Sequence, residues 1–191
     1  MEIINFDNPL FLASNKIEEG IFLKGKKIPE FVFALPFPKY YFLWDSASFN
    51  TSVYNKFALP LMRTSIAKQA ILTSLNPHSD GRNLMKFKFD FSDSEKEFIE
   101  AMNYDPINKD QSNSLMYATT TLALYSIDKS WALVGDSWDT DITILAIKST
   151  LDVIIDKQNV KTAENIEDLL FFINDPSKKK IFLSKIMNNY T

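Results

Sequence analysis

Two short apolar runs decide what this chain can become. Phe31-Val32-Phe33-Ala34-Leu35 and Tyr40-Tyr41-Phe42-Leu43-Trp44 carry no charged residue that could face water, so as strands they need cover on both faces. A third run, Ile21-Phe22-Leu23, precedes a turn at Gly25-Lys26-Lys27 and reads the same way. Pro36 and Pro38 lack an N–H and confine the stretch between the runs to a turn or a sheet edge. Trp131 to Gly135 and Ile142 to Ile147 read as two further strands around the polar turn Asp136 to Asp141. That many apolar strands need a large core, which 191 residues with 16 Phe can supply. Each ring takes about 150–250 Å² from water. With no linker, repeat or low-complexity tract, residues 1–191 read as a single globular domain.

The remaining elements follow from period. Phe87, Phe89 and Phe91 alternate with Lys86, Lys88 and Asp90, the pattern of a half-solvated strand with its phenylalanines on one face. Pro60 starts a helical spacing through Met62, Ile66, Ala70 and Ile71 that predicts a helix to about Leu75. Ser94 with Glu97 forms a capping-box pattern ahead of Phe98, Ile99 and Met102. Ser112 to Ser126 fits a helix stripe through Leu115, Ala118, Leu122 and Tyr125, although Thr119-Thr120-Thr121 favours a strand. Two helices are expected to close the chain, one from Ala163 to Ile173 after Thr162 and one from Pro176 after Asp175, the latter burying Ile181, Phe182 and Ile186. The expected class is α+β: a mostly antiparallel sheet, helices packed on one side, and two C-terminal helices.

Composition removes several chemistries. The chain has no Cys, so it has neither disulfides nor thiolate sites, and its one histidine, His78, rules out multi-histidine metal centres. Four scattered glycines leave no Gly-rich phosphate loop. A net charge of −3 is the wrong sign for a general nucleic-acid binder, and with Arg63 and Arg82 alone the guanidinium fork that reads phosphates is almost absent. The first 20 residues carry acids where a signal peptide would be basic, and no stretch approaches the roughly 20 apolar residues of a membrane span. The expectation is a cytoplasmic protein with no membrane or nucleic-acid partner and no cofactor.

Among the polar clusters, His78-Ser79-Asp80 contains triad residue types, but three neighbours in one loop point in different directions. Lys178-Lys179-Lys180 and the row Glu95, Glu97 and Glu100 read as solvated helix faces. Asp136-Ser137-Trp138-Asp139-Thr140-Asp141 brings three carboxylates within six residues. Hard-oxygen metal binding, a solvated hairpin turn and a partner-binding patch are all open to it, but the spacing is not that of an EF-hand. Asp136, Trp138, Asp139 and Asp141 are the candidate partner-binding residues, since an aromatic flanked by acids suits a basic cleft. The alternative for Trp138 is packing onto the sheet.

Trp131-Ala132-Leu133-Val134-Gly135-Asp136 followed by Asp141-Ile142-Thr143-Ile144-Leu145-Ala146 resembles a pattern in small bacterial proteins. Among these are immunity proteins encoded beside interbacterial toxins. The resemblance covers about 16 residues and implies a non-enzymatic protein that binds a cognate toxin domain and occludes its active site. The rival expectations are a small enzyme using carboxylates alone or with Mg²⁺, and an accessory protein-interaction domain.

Overall fold

The computed structural model describes residues 1–44, 49, 51–75, 86–105, 114–115, 121–136 and 140–191. Seven strands form one sheet: β1 (Glu2–Ile4), β2 (Lys39–Trp44), β3 (Gln69–Ser74), β4 (Lys86–Asp90), β5 (Thr121–Ser126), β6 (Trp131–Asp136) and β7 (Ile142–Ile147). Their order across the sheet is β1-β4-β3-β5-β6-β7-β2, and each neighbouring pair is antiparallel. The α+β class and the mostly antiparallel sheet are therefore as the sequence implies.

The layering differs. Successive side chains alternate between faces, and both faces are apolar in the central strands. Leu72, Leu124, Leu133 and Leu145 belong to one buried cluster, Ile71, Tyr125, Val134 and Ile144 to the other. Helices on one side would leave the second set in water, so the chain covers both. The first face is packed by α2 (Thr51–Val53), a π-helical turn (Tyr54–Ala58) and α3 (Leu59–Thr64), with α4 (Glu95–Asn103) and a 3-10 helix (Ser149–Ile154) beside them. The second is packed by α1 (Pro9–Glu19), the irregular segment 21–37, a 3-10 helix (Ala163–Leu169) and α5 (Pro176–Tyr190).

Several local expectations are corrected by this burial. The helix expected from Pro60 to Leu75 stops at Thr64, and Gln69–Ser74 is strand β3 at the heart of the sheet. Ala70-Ile71-Leu72 is apolar on both of its strand faces, which a two-sided sheet rewards and a one-sided helix does not. Ile66, assigned to the helix stripe, is 94% exposed. Likewise Thr121–Ser126 is strand β5 rather than the end of a helix, as its threonine suggested. Ile21-Leu23 and Phe31-Leu35 do not form sheet strands; they meet through one bridge, Phe22 to Phe33. Their rings bury as a lid on the second face, Phe31 and Phe33 packing around Tyr40 and Tyr190 at centroid distances of 5.4–6.4 Å. Tyr190 donates a hydrogen bond to the Glu30 carbonyl (2.5 Å), fastening α5 to that lid.

The helix expected over 163–173 is a 3-10 helix ending at Leu169, and Thr162 makes no side-chain cap. In α5 the Asp175 carboxylate accepts from the Ser177 and Lys178 N–H groups, as a cap should, but Ile181 is exposed while Phe182 and Ile186 are buried. The Ser94–Glu97 capping box is present in α4, with Phe98 and Met102 buried and Ile99 exposed. Phe87 and Phe89 are buried together; Phe91 lies beyond the end of β4 and is exposed.

Candidate functional site

Of the four residues expected to meet a partner, the two described ones, Asp136 and Asp141, lie at one end of the sheet. Asp136 closes β6 opposite Ile142 of β7 and Thr121 of β5 and is fully buried, so it is a sheet residue and not a turn acid. Thr140 is buried, and its Oγ1 accepts from the Ile142 N–H at 3.4 Å. Asp141 is partly buried with φ +48°, a left-handed conformation that Asp tolerates better than most residues. Ser137, Trp138 and Asp139 lie outside the described residues, as do His78, Ser79 and Asp80.

The strand register adds a residue that the sequence reading left in the core. Trp44 ends β2 directly opposite Ile142, which itself stands opposite Asp136. It is 47% exposed and packs on Phe171, 62% exposed, with ring centroids 5.5 Å apart. Beside this pair the outer edge of β2 is closed by the chain at Lys161, whose backbone exchanges two hydrogen bonds with Phe42 (2.8 and 2.9 Å). The Lys161 ammonium is held by Asp168 at 2.8 Å, which keeps that carboxyl ionised below its ordinary range.

A second feature is a cleft of about 350 Å³ between α1 and the ends of β3 and β4. Its walls are Phe6, Phe11, Phe22, Leu23 and Leu75, and its ionisable groups are Glu18, Glu19, Lys24 and Lys86. Lys86 was expected to face water. Instead α1 covers it, leaving its side chain 5% exposed, ion-paired with Glu18 (24% exposed) and 5.7 Å from the Phe11 ring centroid. Every charged residue on this face of β4 has such a partner: Lys88 meets Glu2 at 2.7 Å and Asp90 accepts from Gln69 at 2.7 Å. Deeper in, burial and then the Glu18 charge push the Tyr125 phenol upward, so it stays protonated and donates to the Ser14 carbonyl at 3.4 Å.

A third group joins β2 to the 3-10 helix over 149–154. The Tyr41 hydroxyl donates to Asp152, while Lys157 donates to both and lies 4.1 Å from the Tyr41 ring. Burial, then the Asp152 carboxylate, raises the Tyr41 pKa; the Lys157 hydrogen bond, then Tyr41, lowers that of Asp152. A phenol raised in this way is a donor and not a base, so the triangle ties elements together.

Among the described residues, no group of three or more His, Asp or Glu side chains is placed to hold a metal ion, and no helix is long and apolar enough to cross a membrane. Of the lysine run, Lys178 and Lys180 are exposed, while Lys179 reaches Glu167 at 3.5 Å. Comparison with family models, curated proteins and solved structures gave no match for this chain. Lys86 and Trp44 were missed for the same reason: their environment is set by α1 and by residues 161–171, remote in sequence, and no local signal in either strand marks it.

Proposed function

We propose that the chain is a non-enzymatic binding protein of the immunity type, which acts in the cytoplasm and neutralises a cognate toxin domain by occupying its active site. The observation that carries this reading is the burial of the hairpin on which the resemblance rests. Every residue of β6 and of β7 is buried, so the two strands themselves offer no surface to another molecule, and contact falls to the sheet end where, among the described residues, Trp44 and Phe171 are exposed. Recognition at such an end needs shape and charge, with no reacting group. The net charge of −3 supports a basic partner such as a nuclease cleft, since opposite charge speeds encounter.

The test is to look for a toxin-like reading frame beside this gene and, where one is found, to co-express the two. Growth of a host that the toxin alone arrests should be restored, and the two purified chains should elute as one stoichiometric complex. Continued arrest with both proteins made in soluble form would refute the proposal.

A further inference from the structure

β1 is the shortest strand and stands at the edge of the sheet, so three residues close the outer side of β4. A ladder that short holds weakly by itself. At its start the Met1 ammonium meets the Asp93 carboxylate at 2.8 Å and the Glu97 carboxylate at 3.0 Å. Met1 is 14% exposed and Asp93 12%, so the contact is largely shielded from water. Both acids are fixed before the ammonium arrives: Asp93 accepts from the Asp90 N–H at 2.8 Å and Glu97 from the Ser94 N–H at 2.8 Å. The Met1 side chain meanwhile packs against the first buried cluster. One cation thus joins β1 to the β4–α4 turn and to the capping box of α4.

We propose that the Met1 α-ammonium is a charge-dependent latch on the sheet edge: charged, it holds β1 on β4 through Asp93 and Glu97; neutralised, it releases β1 and uncovers the outer backbone of β4. Charged hydrogen bonds are the strong ones, and two carboxylates that lose a shared cation in a poorly hydrated corner repel each other. An uncovered strand edge is a template for pairing with another strand, so the latch decides whether this edge is open. Burial alone would lower the pKa of the amine, but the hydrogen bonds to Asp93 and Glu97 and their charges raise it above its ordinary 8.0. The latch is therefore closed at neutral pH and opens as pH rises through that raised value. The other groups around it are Glu2, paired with Lys88 at 2.7 Å, and the Tyr54 hydroxyl, which donates to the Asp93 carbonyl at 3.2 Å and has Arg63 beyond it. Burial, then Asp93 and Glu97, push that phenol up to about 12, so it does not titrate with the amine.

The experiment is hydrogen exchange on the chain with a free Met1 amine and on the same chain acetylated at that nitrogen, each also carrying Asp93→Asn with Glu97→Gln. Acetylation should speed exchange at the β1 amides and the β4 amides bonded to them about tenfold or more, and leave β6 and β7 unchanged. In the doubly substituted chain acetylation should change little, because the carboxylates that read the charge are gone. The capping-box loss from Glu97→Gln is common to both members of that comparison and cancels. If the double variant does not fold, Asp93→Asn alone, which keeps the capping box, takes its place. With intrinsic exchange rates divided out, the free-amine chain should approach the acetylated one as pH is raised from about 7 to 10. Unchanged β1 exchange on acetylation would overturn the latch. Equal acceleration in both backgrounds would overturn it too, since the acetyl group would then act by its bulk and not by removing charge.

Discussion

Breaking the Lys86–Glu18 pair should give an asymmetric result, because the two charges are buried to different depths. Lys86 is 5% exposed and Glu18 24% exposed. Removing Glu18 leaves an ammonium that is almost wholly buried and without its ion-pair partner, Glu19 being the other acid that lines the same cleft. Loss of one partner from a buried pair costs about 3–5 kcal/mol, and the Phe11 ring compensates only in part, a cation over an aromatic face being worth about 0.5–2 kcal/mol. Glu18→Ala should therefore destabilise by about 3 kcal/mol. Lys86→Met keeps the apolar stem and leaves a carboxylate that opens on the cleft, where water can solvate it. Its cost should be about 1 kcal/mol.

The double variant removes both charges and should cost no more than Lys86→Met, because an ion pair replaced by apolar groups is often close to neutral. Urea unfolding of the four proteins, with stability extrapolated to water, closes the cycle. A coupling near zero, or equal costs for the two single variants, would refute the argument that the ammonium is more deeply buried than the carboxylate.

Three further outcomes follow from the same geometry. Phe89→Ala should cost about 3–5 kcal/mol in chemical denaturation and Lys88→Ala about 0.5 kcal/mol, since one empties the core and the other removes a partly exposed ion pair; equal losses would overturn the facing of β4. The Glu97 carboxyl is lowered to about 2, first by the Ser94 N–H, then by the Met1 ammonium and the Ser94 hydroxyl. Its contribution is complete above its ordinary value of 4.5 and is lost as pH falls towards 2, so acid titration of the wild type should show a decline across this window that Glu97→Gln lacks. Millimolar Mg²⁺ or Ca²⁺ should leave the melting midpoint unmoved, because a site filled at 100 times its Kd would add about 2.7 kcal/mol; a rise abolished by Asp139→Asn would establish a metal site at the turn.

What could be read locally was legible in the sequence. The capping box of α4, the Asp175 cap of α5 and the facing of Phe87 and Phe89 depend on residues one to four positions apart, and all are present. What failed depended on neighbours from elsewhere. Ala70-Ile71-Leu72 has helical spacing with Met62 and Ile66, yet strands on both sides claim it for the sheet. Lys86 follows the half-solvated alternation, yet α1 lies over it. Trp44 ends an apolar run, and where that run leaves cover is decided by the length of the strands beside it. The candidate site shared this fate: Asp136 belongs to the hairpin as expected, but the register extends β6 through it and buries it.

The two-sided sheet also limits where function can reside. Strands β5, β6 and β7 are buried along their whole length, β2 is bridged at Phe42 by Lys161, and the opposite edge is three residues of β1 whose Glu2 is tied to Lys88. Strand addition therefore has little free edge to use. Recognition is left to the outer layers and to the sheet ends. At one sheet end, two exposed rings from separate elements, Trp44 and Phe171, meet; at the α1 cleft, the buried cation is already neutralised by Glu18. A ligand arriving at the cleft must compete with that ion pair.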